Sequence, residues 1–131
     1  MKQTSWKRRI TSNYAWPTKY LGERLRLTPG VNRVEEQLLA EAKTKDPRLS
    51  SQIMAGKVVD GGYQVDWIRD QLKADPTALT ALEVNAIGID EARALVKQFT
   101  ANHAALARLA DLAERGGISR VFRSALEGVA A

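Results

Sequence analysis

The sequence predicts an α+β protein: a small N-terminal strand–turn–helix part with a short sheet, followed by an α-helical C-terminal bundle. Three observations predict it. Leu21, Leu25 and Leu27 alternate with Arg24 and Arg26, the period of a half-buried strand. Pro29-Gly30 then turns the chain, and Val34, Leu38, Leu39 and Ala42 recur at helical spacing. From Pro76 onward the composition shifts to Ala and Leu, and every apolar stripe has the helical period.

The turn and the first helix have local causes. Proline suits the first central position of a type II turn, and Gly30 supplies the positive φ required next. Asn32 is expected to cap the helix, with Glu35 three residues on reaching back as in a capping box. Asp46-Pro47 and Asp75-Pro76 repeat one device, an aspartate cap followed by proline at the first helical position. The first starts a short helix through Leu49 and Ile53 that Gly56 ends. Lys57-Val58-Val59 reads as a short strand closed by an Asp60-Gly61-Gly62 turn. Residues 66–74 read as a helix, with Val65, Ile68 and Leu72 at its spacing.

In the C-terminal part Asp90 is expected to cap a helix striped by Ala92, Leu95, Val96 and Phe99. Leu106, Leu109 and Ala113 give the next stripe, and Gly116-Gly117 breaks it. Ser119 is read as the cap of a last helix carrying Ile118, Val121, Phe122, Ala125, Leu126 and Val129. Such stripes pack on each other as a small bundle.

Residues 1–18 have no helical period. Four of the eight aromatics, Trp6, Tyr14, Trp16 and Tyr20, lie in the first 20 residues. Two readings stand. The rings belong to the N-terminal core, with Ile10-Thr11-Ser12 a strand pairing with 20–28, or they stud an extended arm that docks in a neighbouring subunit. Aromatics and arginine are enriched in such anchors. The expected organisation is an arm over 1–18, an α+β part over 19–62 and a helical part over 63–131.

The charge supports the arm. The 131-residue chain carries +5. Residues 1–33 hold eight basic side chains against Glu23, a net +7, and the rest of the chain is −2. A basic segment on a near-neutral body seeks an acidic partner. With 44% apolar residues a modest core is within reach. The absence of cysteine excludes disulfides and thiolate metal sites. No apolar run is long enough to span a membrane, and no apolar segment follows the N-terminal charges as in a signal peptide.

No residue pattern carries a reaction. His103 is the single histidine and sits in a polar joint. The carboxylate pairs Glu35/Glu36, Asp66/Asp70 and Asp90/Glu91 fall at helix starts or on solvated faces, where the helix dipole accounts for them. The serines Ser5, Ser12, Ser50 and Ser51 have no neighbouring base, and neither Gly-Gly pair matches a phosphate loop. Catalytic, metal and cofactor sites are therefore expected to be absent. The strongest nucleic-acid signal is helix–Gly116-Gly117–helix with Arg115, Arg120 and Arg123, because a helix-turn-helix lays a basic helix in the major groove. The same arginines also fit the solvated face of an amphipathic helix.

Leu27-Thr-Pro-Gly-Val-Asn, Val34-Glu-Glu-Gln-Leu-Leu, Lys45-Asp-Pro-Arg-Leu and Gln52-Ile53 resemble small proteins from the head and neck morphogenesis region of Mu-like bacteriophages and prophages. The likeness covers roughly residues 19–60 and lies in turn and helix signals. Ile89-Asp-Glu-Ala, Leu106-Ala-Arg-Leu and Ala113-Glu-Arg-Gly-Gly-Ile-Ser-Arg look like the helical tails of other phage structural-region proteins. The resemblance implies a non-enzymatic minor structural protein of a tailed-phage virion, decorating or cementing the capsid or joining head to tail. It implies the virion as location, with host cytoplasm during assembly. The implied partners are other virion proteins, the major capsid or neck proteins, with several copies present and a homo-oligomer among the arrangements. The residues expected to bind them are Trp6, Lys7, Arg8, Arg9, Tyr14, Trp16, Lys19 and Tyr20. The alternative is a DNA-binding accessory or regulatory protein using Arg115, Arg120 and Arg123.

Overall fold

Strands gather in the N-terminal half and helices in the C-terminal half, which makes the protein α+β. The computed structural model describes residues 6–130. Residues 1–5 of the expected arm, with Lys2 and Ser5, lie outside the described residues, as does the Val129 side chain. The chain divides into two units, Met1–Tyr63 and Gln64–Ala131.

Among its described residues the first unit contains five strands and two helices: β1 (Lys7–Ser12), β2 (Thr18–Tyr20), β3 (Leu25–Leu27), β4 (Gly30–Glu35), α1 (Glu36–Lys45), α2 (Pro47–Met54) and β5 (Val58–Tyr63). Its principal sheet runs β4-β1-β5, antiparallel throughout, and β2-β3 forms a separate hairpin. The basic segment Lys7–Ser12 is thus the middle strand of a sheet, paired on both sides. The sequence reading sets it apart as arm, or pairs residues 10–12 with 20–28. The structure pairs them with β4 and β5 instead. The physical reason lies in the alternation: Ile10 and Ser12 are buried, while Lys7, Arg9 and Thr11 fall on the opposite, open face.

Asn32 does not cap α1. Gly30–Glu35 is extended and pairs with β1 along its whole length, and α1 starts at Glu36 with no side-chain cap. The Asn32 side chain instead accepts from the Thr28 N–H at 2.9 Å and donates to the carbonyls of Thr28 and Gly30 at 2.9 and 3.0 Å. It braces the turn, because six paired residues outweigh one cap. Asp60-Gly61-Gly62 is likewise no terminal turn. The register shifts there between Arg8 and Ile10, and Gly62 has φ +87°, so the strand bulges and resumes at Tyr63. Leu21 lies outside any strand, at φ +54°.

The Pro29-Gly30 reading fits the observed backbone, with Gly30 at φ +93°. A Cβ at Gly30 would meet nothing within 4 Å. Gly30→Val should therefore cost only backbone strain, about 1–3 kcal/mol. Urea denaturation checks this, and an unchanged midpoint would refute the assignment.

Asp46 holds this unit together at a buried joint. Its carboxylate accepts from the Arg48 N–H at 3.1 Å, capping α2, and from the Leu21 N–H at 3.1 Å, where the strained turn is fixed. Hydrogen bonds from the Arg48 side chain, then from the Leu21 N–H, hold the carboxyl at about 2. The folded value is below the unfolded one, so this carboxylate stabilises fully above the ordinary value of 3.8 and loses its contribution as pH falls through about 2. Asp46→Asn should lower stability at neutral pH and flatten the acid limb of the stability profile. Melting curves between pH 2 and pH 7 test both, and an unaltered acid limb would contradict the assignment.

The second unit is helical: α3 (Gln64–Ala74), a single 3-10 turn at Pro76–Ala78, α4 (Ala81–Val84), α5 (Ile89–Gln98), α6 (His103–Leu112) and α7 (Gly116–Ala130). Asp75 caps the 3-10 turn, accepting from the Thr77 N–H at 3.2 Å. Two expected caps move. Gly88 precedes α5 and the Glu91 carboxylate accepts its N–H at 3.0 Å, placing Asp90 inside the first turn. Helix α7 starts at Gly116, so Ser119 is helical. Gly116-Gly117 is not the break between the helices: α6 ends at Leu112, residues 113–115 form the joint, and the two glycines lie in the first turn of α7. A Cβ at Gly117 would lie 2.7 Å from the Ile89 side chain. Ala92, Leu95, Leu106, Leu109, Ile118 and Phe122 are buried on the facing stripes.

Candidate functional site

The expected partner-binding residues separate into those held inside the first unit and those presented outward. Trp6 precedes β1 and meets Tyr63 edge-on, ring centroids 5.5 Å apart. Arg8 lies on β1 opposite Tyr63 of β5, its guanidinium carbon 4.6 Å from that ring. Its Nε donates to Asp60 at 3.1 Å, and its terminal nitrogen is 3.9 Å from Glu36. Asp60 also accepts from Lys43 at 2.8 Å and from the Gly62 N–H at 3.0 Å. Burial raises the Asp60 carboxyl, but these donors outweigh it and hold it below the ordinary value. The Tyr63 hydroxyl donates to Glu36, which raises the Tyr63 pKa. The result is a closed network that ties β1, β5 and α1.

Tyr20 is buried, its hydroxyl bonded to Gln52, and Arg48 approaches its ring. Lys7 pairs with Glu35 at 3.4 Å and Lys19 with Glu23 at 2.8 Å. Arg9 lies on the open face of the sheet, opposite Arg33.

Tyr14 and Trp16 behave differently. They sit in the loop between β1 and β2, with rings 5.5 Å apart and tilted by 44°. Tyr14 packs against the core of the unit, whereas Trp16 is 60% exposed. The loop is pinned: Asn13 donates its N–H to the Lys57 carbonyl at 2.9 Å and its side-chain amide to the Gly56 carbonyl at 3.0 Å. Met54, 89% exposed, lies two residues before Gly56. This tip thus offers an exposed indole in contact with a core-packed tyrosine, on a loop held at Asn13; aromatic side chains carry large contact area at low ordering cost.

In the second unit Arg115, Arg120 and Arg123 are all exposed. Arg120 and Arg123 border a shallow surface shared with Glu114 and Glu127, which offsets their charge. The α6–α7 joint is clasped by Asn85, whose side chain donates to the Leu112 carbonyl at 2.9 Å and accepts from the Glu114 N–H at 3.0 Å. The joint over 113–115 thus owes its shape to hydrogen bonds within the bundle. His103 opens α6 and is exposed.

Sequence reasoning missed Asp60, Glu36, Tyr63, Gln52 and Asn85 as partners. Their contacts join positions far apart in the chain, and only the aspartate beside a Gly-Gly pair gave a local signal. Among the described residues no group of three or more His, Cys, Asp or Glu side chains is placed to hold a metal ion, and no helix is long and apolar enough to cross a membrane.

No protein-family model, no curated protein and no solved structure matches the chain.

Proposed function

We propose that this chain is a non-enzymatic minor structural protein of a tailed-phage particle, docking on neighbouring virion subunits at the capsid or the neck. The observation that carries the reading is the Tyr14–Trp16 tip, with Trp16 60% exposed on a loop pinned at Asn13. Tryptophan is enriched among the residues that dominate binding energy at interfaces. The charge agrees: Met1–Tyr63 holds twelve basic and six acidic side chains, a net +6, and Gln64–Ala131 is −1. A basic unit approaches an acidic subunit surface with electrostatic steering. The resemblance of residues 19–60 to proteins of Mu-like phages supplies the particle. In this reading the chain resides in the virion, and in host cytoplasm during assembly.

Mass spectrometry of purified particles, with heads and tails separated, tests the location. Trp16→Ala should leave the melting temperature near that of the parent and lower incorporation at least tenfold, since an interface anchor of this kind is worth about 2 kcal/mol or more. Full incorporation of the variant, or absence of the parent from both fractions, would refute the proposal.

A further inference from the structure

The geometry points to a second docking groove in the first unit, shaped for an acidic, extended polypeptide segment that adds as a strand beside β4. It shares no lining residue with the Trp16 tip. The groove holds about 460 Å³ between β3 and β4. Among the described residues both walls are sheet edges: β4 pairs only with β1, and β3 only with β2. Leu25, Val34 and Leu38 contribute apolar lining. Lys7, Arg24, Arg26 and Arg33 line the same groove against one acid, Glu35. The bonds of Asn32 to Thr28 and Gly30 fix the turn that joins the two walls.

The backbone phase of β4 follows from one bond. The Glu36 N–H donates to the Trp6 carbonyl at 2.9 Å, so the register makes Val34, Asn32 and Gly30 the residues that face β1. The N–H and C=O groups of Val31 and the N–H of Glu35 therefore point away from β1, while the Glu35 carbonyl, at the N-cap of α1, turns into the helix. A strand edge of this kind is a template for another strand, and strand addition takes affinity from main-chain bonds and specificity from the flanking side chains. The cations specify acidic side chains. Arg24 is engaged with Glu41 at 2.8 Å and Lys7 with Glu35 at 3.4 Å, so Arg26, 62% exposed and 4.0 Å from Glu23, is the cation best placed to answer a new carboxylate. Among the described residues that line it, the groove contains no aromatic ring on which a nucleic-acid base would stack.

Position 35 separates charge from backbone pairing. Glu35 has φ −59°, which proline adopts, and its outward N–H takes no part in the β1 ladder. The probe is a capped, fluorescein-labelled peptide of alternating Glu and Val, titrated into the full chain and followed by anisotropy. A Lys-Val peptide and an oligothymidylate serve as the comparison ligands. The expected result is binding of the Glu-Val peptide with a Kd of about 1 mM or tighter, slowed amide exchange at Val31 and Glu35, and at least tenfold weaker binding by Arg26→Glu. Glu35→Ala should bind more tightly than the parent, having lost the one acid of the groove. Glu35→Pro, which loses the same charge, should bind at least tenfold more weakly than Glu35→Ala. The proposal is overturned by no binding of the Glu-Val peptide, or by equal binding of Glu35→Pro and Glu35→Ala. Insensitivity to Arg26→Glu or oligothymidylate binding as tight as the peptide would also overturn it.

Discussion

Deleting residues 1–12 is expected to unfold the Met1–Tyr63 unit rather than trim it. Among the described residues of its principal sheet β4 and β5 are joined only through β1, so both ladders vanish with the deletion. Ile10, fully buried, leaves with them. Truncating a buried isoleucine to alanine alone costs about 2–5 kcal/mol, and a whole small domain is stable by about 5–15 kcal/mol. The truncated chain should lose cooperative melting of this unit. Trypsin should spare Lys7, Arg8 and Arg9 in the parent, because their backbone is held in the sheet, and cut freely in a destabilised variant such as Ile10→Asp. A deletion mutant that melts like the parent would return the segment to the status of an arm.

Phe122→Ala is expected to have the next largest effect. The ring is fully buried on α7, which packs on α5 and α6. Phenylalanine-to-alanine changes in cores cost about 3–5 kcal/mol, and each kcal/mol shifts Tm by about 4–8 °C in a domain this small. The helical signal of the Gln64–Ala131 unit should melt at least 12 °C earlier by roughly that conversion. Arg123→Ala, on the exposed side of the same helix, should stay within about 0.5 kcal/mol of the parent. Equal melting of the two variants would contradict the facing assigned to α7.

These expectations show which parts of the fold are local. The Asp46-Pro47 cap, the Gly56 stop and the stripes of α5, α6 and α7 are legible because propensity, capping and packing agree within a few residues. β1 was obscured by its charge: Lys7, Arg8 and Arg9 look solvated, yet Arg8 is neutralised by Asp60 and Glu36, both far along the chain. Asn32 illustrates competition, since the same side chain serves a helix cap or a turn brace and strand pairing selects the second. Asp60-Gly61-Gly62 illustrates degeneracy, since a positive-φ glycine serves a terminal turn or a bulge equally well. The candidate site was legible as composition only. Nothing local distinguishes Trp6 from Trp16. Tyr63 takes up the first, and the pinned loop presents the second.

In the proposed role the Trp16 tip, not the basic strand, meets the partner. Photo-crosslinking in cells assembling particles tests it most directly, with a benzophenone amino acid placed at position 16 in one variant and at position 8 in another. A discrete adduct with a virion protein is expected from position 16, and only cross-links within this chain from position 8, where the side chain faces Asp60 and Tyr63. An adduct with another virion protein from position 8, with none from position 16, would contradict it.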